Sequence, residues 1–192
     1  MTDQPLNPRR RSALASGVTM LSAGGLLAVM GVATPRNAWA ASHPAQDVAL
    51  LNAAIALEHE GIAAYQLGAE SSLLTPDVLK IGLTFQSHHK GHRDALAAAV
   101  RRLGGKPVEA KTFEAYASDL GAPGLKDQAG VLRLALKLER GAANAYLGLI
   151  PSLEATEFHV LAARMAGDEA FHAATLGAAL GEPIPANPLI FG

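Results

Sequence analysis

Two glutamate–tyrosine pairs with identical spacing stand out in this chain of 192 residues. Glu58 precedes Tyr65 by seven residues, and Glu139 precedes Tyr146 by the same step, 81 positions later. Seven residues make about two turns of an α-helix, so each pair would lie on one helix face. A carboxylate there can bind a metal ion or accept a hydrogen bond from the hydroxyl. The pairs therefore predict one polar site built by two halves of the chain.

A second pair of short segments repeats at nearly the same distance. His89 and His92 correspond, 80 residues later, to Glu169 and His172. Residues three apart are neighbours on a helix surface, so both side chains of each segment can reach a common site. We interpret the pattern as an internal duplication, because packing alone does not explain ionisable residues kept in register. His89 opposite Glu169 is the one position where the two copies differ in chemistry.

Four stretches with the apolar period of an amphipathic helix would position these residues. Their approximate ranges are 47–70, 76–103, 130–150 and 154–180. Thr75 and Pro76 offer an N-cap and a proline at the first helical position. Gly104 and Gly181 supply helix-ending glycines, and Pro151 stops the third helix. The apolar pattern therefore predicts helices and no strands.

The lengths of the connections predict how the four helices are arranged. Short turns join the first helix to the second and the third to the fourth, which is typical of antiparallel hairpins. The segment 104–128 is long enough for a crossover and would carry a short helix near 112–120. We expect an all-α fold, an antiparallel four-helix bundle of two hairpins over residues 41–182. A Pro-rich tail, 183–192, would be extended on the outside.

In this arrangement, six ionisable side chains lie on apolar helix faces and point into the core. They are Glu58, His89, His92, Glu139, Glu169 and His172. Burial of an unpaired carboxylate costs on the order of several kcal/mol. Two divalent cations would offset this, because each carboxylate would then ligate positive charge. The alternative is that each histidine is a satisfied core residue and that Glu58 reaches the surface or pairs with Arg93 or Arg140.

Other polar residues near these faces have different expected roles. Tyr65 and Tyr146 either pack in the core with a satisfied hydroxyl or hydrogen-bond the metal ligands. Glu60 is expected to be solvated. Three histidines turn away from the apolar faces and are expected at the surface or rim: His59, His88 and His159.

With these residues in place, the chain resembles the ferritin-like superfamily, over nearly all of residues 47–180. It is most similar to small exported bacterial ferritin-like domain proteins and, distantly, to rubrerythrins. The resemblance implies that Glu58 and Glu139 fill the family's two lone-glutamate positions and that Glu169 and His172 form one Glu-x-x-His motif. His92 fills the histidine of the other motif, but His89 replaces its glutamate. The resemblance implies iron as the cofactor, with manganese, zinc or copper as alternatives for a histidine-richer site.

Composition narrows the classes of partner. The formal net charge is −1, aromatic residues make up 5% of the chain, and no basic stripe is visible, so nucleic acid is not expected. The chain has no cysteine, which excludes disulfides, thiolate metal sites and a lipoprotein anchor. Metal ions are the expected partners, and a homodimer is left open.

The amino terminus has the features of an export signal. Arg9-Arg10 begins a twin-arginine motif, an apolar run follows over 13–34, and Ala38-Trp39-Ala40 suits signal peptidase. We expect residues 1–40 to be removed and the protein to be periplasmic or otherwise exported, with no membrane association after cleavage. An uncleaved membrane anchor is the alternative, because the run approaches spanning length.

Three functions fit these features, and the sequence leaves open whether the protein is an enzyme. The first is redox chemistry with oxygen or peroxide at a carboxylate–histidine metal centre. The second is metal binding without turnover, for sequestration or for structure. The third is a metal-free stress or interaction scaffold, for which the six side chains would fail to converge.

Overall fold

The computed structural model describes residues 43–191, which contain five α-helices and no β-strand. The helices are α1 (His43–Glu70), α2 (Pro76–Arg102), α3 (Phe113–Asp119), α4 (Gln128–Leu149) and α5 (Glu157–Ala179). Single 3₁₀ turns lie at Ala122–Gly124 and Ile150–Ser152. The all-helical prediction is thus confirmed for the described residues. The predicted signal segment, 1–40, lies outside them.

Helices α1 and α2 form an extensively packed antiparallel pair. Near the turn between them, the Gln86 side-chain amide donates to the Ile62 carbonyl oxygen at 3.1 Å. At the far end, Gly105 approaches so closely that an added Cβ would lie 2.6 Å from a Val48 methyl group. A residue early in α1 therefore faces the end of α2, as in an antiparallel hairpin.

Helices α4 and α5 form the second extensively packed pair. The Arg140 guanidinium on α4 also donates to Glu182, just after α5, at 2.6 Å. The two pairs meet where α1 contacts α4 and α2 contacts α5, while the short α3 packs on α1. Each long helix thus packs mainly on its neighbour along the chain.

The starts of two helices differ from the sequence expectation, one in its capping bond and one in its position. Thr75 occupies the N-cap of α2 ahead of Pro76, but its side chain makes no capping hydrogen bond. Helix α5 begins at Glu157 instead of position 154. Its approach is held by the buried Asp47 of α1, whose carboxylate accepts the backbone N–H groups of Glu154 and Ala155, each at 2.9 Å. This contact between distant segments satisfies the two N–H groups outside a helix, in the turn that precedes Glu157, so the helix starts later.

The apolar core consists of two clusters separated along the helices. One includes Leu51, Leu96, Val100, Tyr146 and Phe158, and the other Phe85, Leu132, Leu136, Ala173 and Leu176. On every long helix, the predicted ionisable residues lie between the segments that feed these two clusters. Phe191 in the tail packs against the second cluster. No helix within residues 43–191 is long and apolar enough to cross a membrane.

Candidate metal centre

The structure brings all six predicted side chains together in the interior. Their exposed fractions range from zero for Glu169 and His172 to 8% for His92. They form two overlapping groups whose oxygen and nitrogen atoms lie within 4.8 Å of one another. The Glu58 cluster is Glu58, His89, His92 and Glu169; the Glu139 cluster is His89, Glu139, Glu169 and His172. The geometric condition for a shared site is met, and the role of these residues as metal ligands stays a prediction.

The helix period explains why these residues meet. Each of the four long helices contributes, with single glutamates on α1 and α4 and pairs three residues apart on α2 and α5. The three-residue step keeps both members of a pair on one face. Gly61 makes room for the His89 ring, since a Cβ at Gly61 would lie 3.0 Å from two of its atoms. A larger residue there would displace the ring from the site.

Glu58 is held by contacts from the other hairpin and from α2. The hydroxyl of Tyr146 on α4 donates to Oε1 of Glu58, and His89 Nδ1 lies 2.7 Å from Oε2. Burial raises the pKa of Glu58, but hydrogen bonds with His89 and His92 outweigh burial and lower the pKa overall. Glu58 is therefore anionic at neutral pH. The alternative pairing of Glu58 with arginine is wrong, because Arg140 pairs with Glu182 and Arg93 with Asp94.

Glu139 has the matching environment on the opposite side. The hydroxyl of Tyr65 on α1 donates to Oε1 of Glu139, and His89 Nε2 lies 3.2 Å from the same oxygen. His172 Nδ1 lies 3.3 Å from Oε2. Burial raises the pKa of Glu139, but hydrogen bonds with Glu169, His172 and His89 hold it well below the ordinary value. Of the two expected roles for the tyrosines, the structure has both hydroxyls bonded to the predicted ligands.

His89 and Glu169 belong to both clusters and face each other between them. The two ring nitrogens of His89 point to different glutamates, Nδ1 to Glu58 and Nε2 to Glu139. The two oxygens of Glu169 likewise divide, with Oε1 3.0 Å from His92 Nδ1 and Oε2 3.1 Å from His172 Nδ1. Burial and the hydrogen bond with Glu139 raise the pKa of Glu169 above its ordinary value.

Neighbouring carboxylates favour the charged form of the three imidazoles. Burial lowers the pKa of His89, but hydrogen bonds with Glu139 and Glu58 raise it well above the ordinary value. For His92, hydrogen bonds with Glu169 and Glu58 overcome burial and raise the pKa to about 10. Burial also opposes the shift in His172, whose bonds with Glu139 and Glu169 raise its pKa. The metal-free cluster is thus a network of imidazolium and carboxylate groups.

Two exposed residues extend the site to its rim. His88 on α2 lies with Nδ1 2.9 Å from Nε2 of His172, and Asp168 on α5 lies with Oδ2 3.1 Å from Nε2 of His92. His88 is exposed, as the sequence predicts, but its contact with the cluster was not foreseen. Asp168 was missed altogether. The offset of 80 residues that separates His89 from Glu169 also separates these two, and that signal could have identified Asp168.

The remaining polar predictions have mixed outcomes. His59 and His159 lie outside both clusters, where their rings contact the backbone oxygens of Val108 and Leu153. Glu60 is half-buried, so the expectation that it is solvated is wrong. Burial raises the pKa of its carboxyl group.

The donor set is chemically suited to a divalent metal ion. Carboxylate oxygens and imidazole nitrogens are ligands for iron, manganese, zinc and copper, and here three carboxylates and three imidazoles meet in the buried interior. The buried histidine and glutamate groups could therefore hold a metal ion.

Comparisons with known proteins agree with the fold. A solved structure similar to this chain is that of the conserved hypothetical protein rv2844 from Mycobacterium tuberculosis, with 25% sequence identity and a TM-score of 0.61. The similarity covers 76% of this chain and 99% of that one. No curated protein matches the chain. The profile of the ferritin-like domain matches residues 46–182, and the chain belongs to this family.

Proposed function

We propose that this chain is an exported metal-binding protein in which an antiparallel four-helix bundle of ferritin type holds a divalent ion at its centre. The proposed ligands are Glu58, His89, His92, Glu139, Glu169 and His172. The carrying observation is that two buried groups of four such side chains, sharing His89 and Glu169, have their donor atoms within 4.8 Å of one another. Packing does not require this arrangement.

Electrostatics favour a cation at this position. Three buried carboxylates are costly unless positive charge compensates them, and a divalent ion compensates two at once. An iron, manganese or copper ion would supply redox chemistry with oxygen or peroxide, whereas zinc would supply charge and Lewis acidity alone. Iron is the first choice through the resemblance to ferritin-like proteins.

His89 is the residue that would set how many ions bind. A neutral imidazole has one nitrogen lone pair, whereas a carboxylate has two oxygens that can each serve a metal. Because the His89 nitrogens face different glutamates, the neutral ring can complete only one cluster at a time. We therefore expect one tightly bound ion per chain. Tyr65 and Tyr146 would keep the two glutamates oriented by donating their hydroxyl protons.

Export by the twin-arginine route is part of the proposal. The motif at Arg9-Arg10 and the cleavage signal ending at Ala40 support it. This route carries folded proteins, so the metal would be acquired in the cytoplasm before transport. The mature protein would then act in the periplasm or outside the cell.

A metal-free scaffold is the second candidate, and one observation favours it. Among the described residues, every fully buried side-chain nitrogen or oxygen already has a hydrogen-bond partner. The imidazolium–carboxylate network therefore satisfies itself without a metal ion. A protein that keeps only the fold would need no other stabilisation of its polar interior.

Elemental analysis of protein purified from its native compartment tests the proposal. We expect close to one metal ion per chain, and a second ion in His89→Glu, which restores a carboxylate that both clusters can use. His159→Glu adds the same charge outside the clusters and is the matched control. Less than about a tenth of an ion per chain in both wild type and His89→Glu would overturn metal binding in favour of the scaffold. Oxygen and peroxide consumption by metal-loaded protein would then separate redox turnover from sequestration.

A further inference from the structure

An apolar cavity, partly open to the surface at Ile81 and Leu83, lies beside the polar site, between the ends of the four long helices. Its volume is about 50 Å³. Each long helix contributes to the wall, and Tyr65 forms the side nearest the Glu139 cluster. Other wall residues include Gly68, Gly82, Val131, Leu132 and Leu176.

The chemistry of the wall disfavours water. A cavity of this size has room for a few water molecules, but each needs two to four polar partners to be stable there. Tyr65 and Thr175 are the wall residues with side-chain hydroxyls. The Tyr65 hydroxyl donates to Glu139, and that of Thr175 donates to the Phe171 carbonyl oxygen at 2.9 Å. Neither hydroxyl has a proton left to donate into the cavity.

Gly82 leaves this space open without being required by close packing. A Cβ added at Gly82 would meet only the Tyr65 ring, at an ordinary contact distance of 3.6 Å. By contrast, a Cβ at Gly68 would lie 3.1 Å from a Val131 methyl group, so tight packing explains that glycine. A glycine inside a helix is less stable than alanine. Close packing therefore does not explain the glycine at position 82. The absence of a side chain there leaves space beside the Tyr65 ring.

The size of the cavity limits the guest. A dry apolar cavity of about 150 Å³ is known to hold benzene or xenon. About a third of that volume suits an uncharged, non-polar molecule of two or three heavy atoms. We propose that this cavity binds such a molecule, of the size of a diatomic gas, against the Tyr65 ring. The site goes beyond the proposed metal function and would exist in the metal-free protein.

Xenon is the probe for this site, because it is non-polar and detectable in crystals and by NMR. Under xenon pressure, we expect one bound atom in the cavity and saturating shifts of the Val131 and Leu132 methyl signals. Gly82→Val should weaken this binding by at least about tenfold by filling the space. Gly91→Val is the matched control, since Gly91 lies in the same helix with open space around it. It should bind xenon as wild type does.

Two results would overturn the proposal. One is ordered water in the cavity with no bound xenon in the wild-type protein. The other is a folded Gly82→Val protein that binds xenon as strongly as wild type. If Gly82→Val does not fold, Gly82→Ala adds a single methyl group to the same space, and unchanged xenon affinity in that variant would count against the site. Metal content is measured separately, so failure here leaves the metal proposal untouched.

Discussion

The Glu58 and Glu139 clusters have matching compositions, each with three residues from one pair of helices and one from the other. In each, a glutamate accepts a hydrogen bond from the tyrosine of the other hairpin. In each, a histidine places Nδ1 beside Glu169 and has its Nε2 contacted by an exposed residue of the facing helix. The difference lies in the middle, where His89 faces Glu169. Of the two shared residues, Glu169 can ligate a metal ion in both clusters at once, whereas neutral His89 can ligate one in a single cluster.

Two clusters with similar ligands and contacts therefore need not bind a metal ion equally well. The glutamates, tyrosines and outer histidines of the two clusters make matching contacts. The number of ions should nevertheless depend on the central pair, because only Glu169 has a donor atom for each cluster.

The largest effect is expected from removing the charge of the shared carboxylate. Glu169→Gln should weaken metal binding by more than about 100-fold, beyond the usual loss for residues that merely support ligands. Glu58→Gln removes a carboxylate of one cluster only, so the ion should still bind at the Glu139 cluster. Isothermal titration with iron(II), manganese(II) and zinc(II) would measure both. Equal losses in the two variants would break the distinction between shared and unshared ligands.

Metal affinity should also rise with pH. The pKa values of His89, His92 and His172 are raised in the metal-free protein, and that of His92 reaches about 10. Because a metal ion binds the neutral imidazole, loading releases these protons, and affinity grows about tenfold per pH unit for each proton released. Each cluster contains two imidazoles, so the first ion should release about two protons. Titrations in buffers of different ionisation enthalpy count them, and a pH-independent affinity would contradict the charged network.

The two tyrosines offer a comparison of stability. Tyr146 is fully buried, and Tyr65 is half-buried. Tyr146→Phe takes a donor from the buried Glu58 carboxylate and should lower the free energy of unfolding by about 1.5–3 kcal/mol. Tyr65→Phe should cost less, since the hydrogen bond that it loses is partly buried, whereas the one between Tyr146 and Glu58 is fully buried. Chemical denaturation of both variants measures this, and Tyr116→Phe, remote from the site, controls for loss of a hydroxyl.

The rim residues should have the smallest effect. His88→Ala and Asp168→Ala each remove a partner from the outer nitrogen of a cluster histidine, and affinity should fall by about tenfold, the lower end of the range for supporting contacts. His88→Asn should recover part of the loss by offering an amide in place of the ring. If one alanine variant loses far more than the other, the two clusters are less alike than their contacts indicate.

The six interior residues could be predicted from the sequence, whereas features that depend on contacts between distant segments could not. The six interior residues could be found because helix periodicity and the 80-residue offset place each on an apolar face. Asp47 could not be found, since its role depends on a contact with Glu154 and Ala155 more than 100 positions away. The half-burial of Glu60 likewise depends on tertiary packing that local sequence does not encode. The cavity beside Tyr65 depends on how all four long helices pack together, which the sequence pattern does not specify.

The exchange of tyrosines between hairpins has a consequence for the order of folding. Tyr65 and Glu139 are 74 positions apart, and Tyr146 and Glu58 are 88 apart, so neither bond can form within a single hairpin. Each hairpin can close early from local contacts, whereas these bonds must wait until the hairpins dock. Interactions made after the transition state mainly slow unfolding. The hydrogen bonds of the polar centre should therefore form late in folding. Loss of either hydroxyl should raise the rate of unfolding and leave the rate of folding nearly unchanged.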